Sequence, residues 1–353
     1  MIRILSPSLA LLGEVDIYDS IIFELKYHEY GTFTIETLLD AQDADKLTIG
    51  NLIIVDKDLK KSGIIRARRI QDDGGADKLI VEGDTLGGLM WQRITIPPNG
   101  QAFDTQTAEA ETLIKHYVQR NAKDLPNMDI PELNVIPSTD KGEVLTWSSR
   151  YENLSEELSK ISLVSGLGWN ILPNFITKKL DFDIYEGKDL TTGQSENERV
   201  IFAIEYDNLL NLEVTESVND YVSEVYVGGA GDGELRTIEV VGDGATGINK
   251  HVAFRGAGDD DDLTLIGELE LKDKAKVSHF EGEAIDTNLA KYGVNWNLGD
   301  IVTVKAKKLG VMVDRRIVEI QEVYQADGHK IIPGFGGSLA GLAEKIKNRI
   351  TVR

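Results

Sequence analysis

Ile49-Gly50-Asn51-Leu52-Ile53-Ile54-Val55 and, far downstream, Leu298-Gly299-Asp300-Ile301-Val302-Thr303-Val304 follow one pattern: an apolar residue, glycine, Asn or Asp, then four residues suited to a strand. After each copy a Lys-containing polar stretch leads to a second glycine, Gly63 or Gly310. Five residues beyond it lies Arg68-Arg69-Ile70 or Arg315-Arg316-Ile317. Each copy then passes an Asp/Gly turn to Lys78-Leu79-Ile80 or Lys330-Ile331-Ile332. One strand–turn–strand match arises easily by chance. A shared order with a shared glycine-to-arginine spacing points to an internal repeat. The fold class expected is mainly β with an α+β insert: two related small β-barrels, a helix-containing domain and a small peripheral domain.

Outward from the first copy, residues 1–98 hold short runs of branched and aromatic residues, among them Ile21–Leu25, Phe33–Thr37 and Lys78–Glu82, separated by glycine and acidic turns. That spacing suits a small barrel or sandwich. Residues 99–198 change character and read as an α+β domain. Ala110, Leu113, Ile114, Tyr117 and Val118 fall at helical spacing, predicting a helix over Thr105–Asn121. Asn153 with Glu156 three residues on is a capping-box start, and Gly166 or Gly168 is a stop. Two strands follow, Gly168–Leu172 and Lys179–Tyr185. A discontinuous second barrel is expected from 199–228 and 292–336. The acidic excursion 229–291, with a C-terminal helix in 337–353, is expected to lie outside it. In that helix Ser338 caps Leu339, Leu342, Ile346 and Ile350.

Composition narrows function. The 353 residues carry 38 Lys+Arg against 59 Asp+Glu, a formal charge of −21, which argues against gripping phosphate backbones. Zero cysteines remove thiol catalysis, disulfides and Fe–S clusters. The five histidines, His28, His116, His251, His279 and His329, are too dispersed for a local metal motif. The opening MIRILSPSLALLGEVD breaks its apolar run at Pro7 and meets Glu14 and Asp16, so it reads as a strand and turn rather than an export signal. No stretch approaches the ~20 apolar residues of a membrane span.

Each candidate site has a plainer explanation. Gly228–Gly233 follows a strand, as a phosphate loop would. The downstream Glu234–Val240 reads as a strand rather than a helix, so a hairpin turn is expected, and likewise at Gly242–Gly247. Asp259–Asp262 lacks the alternation, glycine and distal Glu of an EF-hand, and reads as a solvated helix N-terminus. No motif selects two carboxylates for glycoside hydrolysis. Ser165-Gly166 is not a nucleophile elbow. The four Trp read as packing, and His116 as a boundary residue. No catalytic, cofactor-binding or metal residue is assigned, and no cofactor is expected.

The segments Trp147–Leu158 and Ser165–Trp169 resemble siphophage tail hub proteins of the ReqiPepy type. So do Arg93-Ile94-Thr95-Ile96-Pro97-Pro98, the Ala110–Arg120 helix, Phe182–Asp189 and Trp296-Asn297-Leu298-Gly299-Asp300. The resemblance runs in order along nearly the whole chain, and each motif in it is a packing pattern. It implies a baseplate-hub-like fold and a structural, non-enzymatic virion protein at the tail tip, assembled in the host bacterial cytoplasm. Three chains would form a homotrimeric ring of six barrels facing a six-fold tail tube and enclosing the DNA exit channel. The implied partners are the distal tail protein hexameric ring, the tape-measure protein and tip fibre or receptor-binding proteins. No specific nucleic-acid binding and no membrane span are implied.

Many tail-associated relatives continue into a long C-terminal fibre or a wall-degrading enzyme, whereas this chain reaches Arg353 after a short helix. Those parts are therefore expected on another chain, or outside this sequence. The competing expectations are a tail-associated cell-wall or polysaccharide hydrolase and a host-glycan-binding tail module. A last expectation concerns charge: a net-negative lumen, with Arg68, Arg69, Arg315 and Arg316 turned toward neighbouring subunits or ring partners.

Overall fold

A computed structural model describes residues 1–336 except 73, 76, 259–261 and 327. The first expected runs become β1 (Ile2–Leu5), β2 (Leu11–Val15), β3 (Ser20–Lys26), β4 (Thr32–Leu38), β5 (Leu52–Val55), β6 (Ser62–Gln71) and β7 (Lys78–Thr85). In β3 the alternation is direct: Ile21, Phe23 and Leu25 are buried and the residues between them half-buried. The strands pair antiparallel in the order β3-β4-β7-β6-β5-β1-β2. β5 is buried on both faces, as its unbroken Leu-Ile-Ile-Val requires. Ile53 and Val55 join a core with Ile21, Phe23, Phe33 and Ile35, while Leu52 and Ile54 join a second core beneath the helices.

The middle of the chain contributes β8 (Asp104–Glu109), α1 (Ala110–Gln119), β9 (Leu133–Val135), β10 (Val144–Ser149), α2 (Leu154–Ser165), β11 (Gly168–Asn174) and β12 (Lys179–Tyr185). The helix expected from Thr105 starts at Ala110. Residues 104–109 pair with β10 instead, with Thr107 and Thr146 hydroxyls 2.8 Å apart across the ladder. Branched threonines at alternate positions suit that pleat better than a helix. α1 runs on into a π turn, Arg120–Asp124. α2 begins as its cap dictates: Asn153 Oδ1 accepts the Glu156 N–H at 3.3 Å, and left-handed Gly166 ends the helix.

The remaining elements are β13 (Ile201–Ala203), β14 (Leu209–Ser217), β15 (Glu224–Gly228), β16 (Ile238–Gly242), β17 (Val252–Gly256), α3 (Leu263–Asp273), β18 (Val277–Ala284), β19 (Ile301–Ala306), β20 (Val311–Gln325) and β21 (Gly328–Gly336). β14, β18, β21 and β20 pair in that order, and β19 lies on β20 with β13 beside it. β18 lies within 229–291 yet belongs to this ladder, because Phe280 shares a core with Phe202, Trp296 and Phe335. β15 lies within 199–228 yet forms a separate three-stranded sheet, antiparallel to β16 and parallel to β17. The Gly228–Gly233 stretch therefore opens a hairpin, as expected. Gly242–Gly247 does not, since the strands it joins pair with β15 and not with each other. The helix expected from Ser338 lies outside the described residues.

The repeat is larger than the sequence match. β3-β4-β7-β6-β5 and β14-β18-β21-β20-β19 have the same order and the same antiparallel sense. Gly50 (φ 91°) and Gly299 (φ 94°) are both left-handed, a conformation that glycine adopts without a Cβ penalty. Gly50 donates to the Ile65 carbonyl at 2.9 Å and Gly299 to the Ile317 carbonyl at 2.8 Å. Immediately after each isoleucine comes the same irregularity, Ile65/Ala67 against β7 and Ile317/Glu319 against β21.

This register corrects one sequence equivalence. Ile317 matches Ile65 and not Ile70, so the two Arg-Arg-Ile motifs sit at different places in the two units. One junction fuses the units: the first part of β20 pairs with β19 inside the second unit, and its second part, Glu319–Gln325, pairs with β3 of the first. The resulting 13-stranded sheet is an open path from β14 to β2. Neither unit closes into a barrel by the pairings of the described residues.

Candidate functional site

The seam where β20 meets β3 holds a cluster of buried charged groups. Lys61, immediately before β6, reaches across to Glu322 on β20 (Nζ–Oε2 2.9 Å) and donates to Tyr324 Oη at 2.7 Å. Tyr324 donates in turn to Glu322 Oε2 at 2.7 Å, and His329 Nε2 lies 2.9 Å from the same oxygen. Burial would raise the Glu322 carboxyl, but His329, Lys61 and Tyr324 outweigh it and hold it at about 2. A general acid or base needs a pKa near working pH. This carboxylate is a fixed anion with its donors already engaged, so the cluster is suited to joining rather than to proton transfer.

A second joint brings all three cores together. Tyr27, just after β3, donates its hydroxyl to the Gly166 carbonyl at 3.0 Å and accepts the Gly187 N–H at 3.2 Å. The Arg316 guanidinium stacks 5.0 Å above the Tyr27 ring and donates to the Gly299 carbonyl at 2.6 Å. Arg315 lies 5.7 Å over Phe280. Both arginines therefore spend their side chains on their own chain, contrary to the expectation that they turn toward neighbours. Arg69 is exposed, and Arg68 is half-buried.

The other candidates disperse. Ser165 donates to the Ile161 carbonyl and ends a helix, as its place in the sequence suggested. A serine–histidine contact that the sequence did not reveal is His28 Nδ1 to Ser162 Oγ, 2.8 Å. Ser162 donates to the Leu167 carbonyl, so it accepts from His28 and is not activated. Burial, with Arg316 nearby, pushes His28 down to about 4. His116 lies 3.0 Å from buried Asp104, which Arg120 also approaches at 3.4 Å. That is a structural ion cluster without a nucleophile.

Trp147, Trp169 and Trp296 are buried in cores, leaving only Trp91 half-exposed. Asp262 caps α3 by accepting the Leu265 N–H, while Asp259–Asp261 lie outside the described residues. Among the described residues no cluster of three or more His, Asp or Glu could hold a metal, and no helix is long and apolar enough to cross a membrane. A hollow of about 1220 Å³ lies in a groove between α2 and α3, whose walls mix Glu156 and Lys160 with Leu163, Leu265 and Leu269.

Comparison with known proteins follows the fold closely. The family described as Siphovirus ReqiPepy6 Gp37-like protein matches residues 1–337. No curated protein matches. Among solved structures, a tail protein from Neisseria meningitidis MC58 is similar at 14% identity with a TM-score of 0.58, covering 96% of each chain. The 43 kDa tail protein of prophage MuSo2 from Shewanella oneidensis is similar at 12% identity and TM-score 0.59, over 95% of this chain and 97% of that one. Prophage tail protein gp18 from Listeria monocytogenes EGD-e is similar at 12% identity and TM-score 0.55, over 99% of each.

Proposed function

We propose that this chain, which belongs to the Siphovirus ReqiPepy6 Gp37-like protein family, is the structural hub of a long-tailed phage or prophage tail tip. Three copies form a ring that joins the six-fold tail tube to the tip and surrounds the DNA exit path. The observation that carries this reading is the duplicated five-strand unit, with its paired left-handed glycines and paired irregularities. A chain holding two equivalent units can meet a six-fold partner with three-fold symmetry, because three chains offer six similar edges.

In this reading each unit curls into a small barrel around its own core: Ile21, Phe23, Phe33 and Ile35 in one, Phe202, Phe280, Trp296 and Phe335 in the other. Residues 1–98 form the first unit and 99–198 the α+β domain. The second unit draws on β13, β14 and β18–β21, and the β15–β17 sheet with α3 lies at the periphery. Distal tail protein, tape-measure protein and fibre or receptor-binding proteins are the partners. The role is architectural, and the surplus of 21 negative charges suits a lumen that repels the phosphates of passing DNA within a Debye length of ~8–10 Å.

Gold labelling of a tagged chain in purified tails tests the assignment. The reading expects label at the distal tail end. Label distributed along the tube, or a tail that lacks the chain, contradicts it.

A further inference from the structure

Within the chain, the second part of β20 pairs with β3, Glu319 opposite Lys26 through Gln325 opposite Ser20. The equivalent of that edge in the first unit is Ala67–Gln71 of β6. Among the described residues, no strand lies on that side of it, since β5 covers only Ser62–Ile64. The equivalent of β3 in the second unit is β14, which pairs with β18 and stands at the open end of the sheet. Each chain therefore carries one unfilled copy of each half of its own internal junction.

We propose that β6 of one copy pairs antiparallel with β14 of the next, in the register of the internal β20–β3 junction. This rests on the hub reading and names its subunit contact. Superposing the units through the Ile65–Ile317 and Phe33–Phe280 equivalences sets Ala67 opposite Ser217, Arg68 opposite Glu216, Arg69 opposite Thr215, Ile70 opposite Val214 and Gln71 opposite Glu213 of the neighbouring copy.

Three observations fit that register. Arg68 Nε is buried without a hydrogen-bond partner, and the register puts an exposed carboxylate, Glu216, across from it. Ile70 is 57% exposed on the strand face that is buried in the internal junction, where Val214 would cover it. The Ala67–Gln71 edge has no strand on its outer side among the described residues and carries exposed Ile70, the kind of edge that soluble proteins ordinarily cover or pair. The contact is heterologous, so repetition runs head to tail, and six units in three chains close it without leaving an edge.

The absence of cysteine makes the test clean. The double variant Ile70→Cys, Val214→Cys of the full chain is oxidised at concentrations where the wild type is assembled, then run without reductant. The proposal expects reducible cross-linked dimers and trimers, absent when Ile70→Cys is combined with Thr215→Cys, whose side chain points to the other face. Arg68→Glu should weaken assembly by roughly tenfold or more, and adding Glu216→Arg should restore it. Trimers by light scattering with no cross-link in this register would overturn the strand pairing and leave the hub reading intact. A single-chain mass at every concentration would overturn both.

Discussion

Lys61 and Glu322, 261 residues apart in sequence, form a buried ion pair of 2.9 Å that ties the first β unit to the second. Removing one partner strands the other. Lys61→Met should cost ~3–5 kcal/mol of stability, because Glu322 is left in a site that no longer balances its charge. The double variant Lys61→Met, Glu322→Leu should recover much of that loss. Denaturant midpoints of the two variants decide it, and additive losses would refute the coupling.

Glu319 predicts an opposite pH response at the same seam. It stands across from Lys26, near Glu24 and Glu281, and burial followed by the Glu24 carboxylate pushes its pKa up. The folded chain keeps this proton where the unfolded chain has lost it. Its contribution to stability therefore declines as pH rises above the ordinary carboxylate range. Glu319→Gln should raise the melting temperature more at pH 8 than at pH 5, and an equal gain at both would dismiss the charge argument. Glu322 runs the other way: its pairing stabilises above the ordinary carboxylate range and is lost as pH falls toward about 2.

The two left-handed glycines separate a backbone cost from a packing cost. A Cβ on Gly50 meets nothing within 4 Å, whereas one on Gly299 would lie 2.2 Å from the Tyr27 ring. Gly50→Ala should cost about 1–2 kcal/mol, the penalty of the left-handed conformation alone. Gly299→Ala should cost clearly more, since Tyr27 also anchors Gly166. Equal losses in urea melts would show that the Tyr27 joint yields freely.

The glycine–Asx turn was legible because a left-handed backbone demands a particular residue. So were the caps of α2, where Asn153 and Gly166 satisfy backbone groups locally. The Arg-Arg-Ile match misled, since a surface-compatible tripeptide fixes no backbone geometry. β18 was invisible as a core strand because its neighbours are acidic and only its place opposite β14 and β21 buries Phe280. The Lys61–Glu322–His329 cluster has no sequence signature at all: its members meet only through the fold. Three expected absences, of catalytic, cofactor and metal residues, concern chemistry that no motif proposed.

The mass of the assembled chain tests the central claim most directly. Light scattering coupled to gel filtration, across a concentration series of the full chain, should converge on the mass of three 39.0 kDa chains. A plateau at one chain, or at an even number of chains, would contradict a three-fold ring built from six equivalent units.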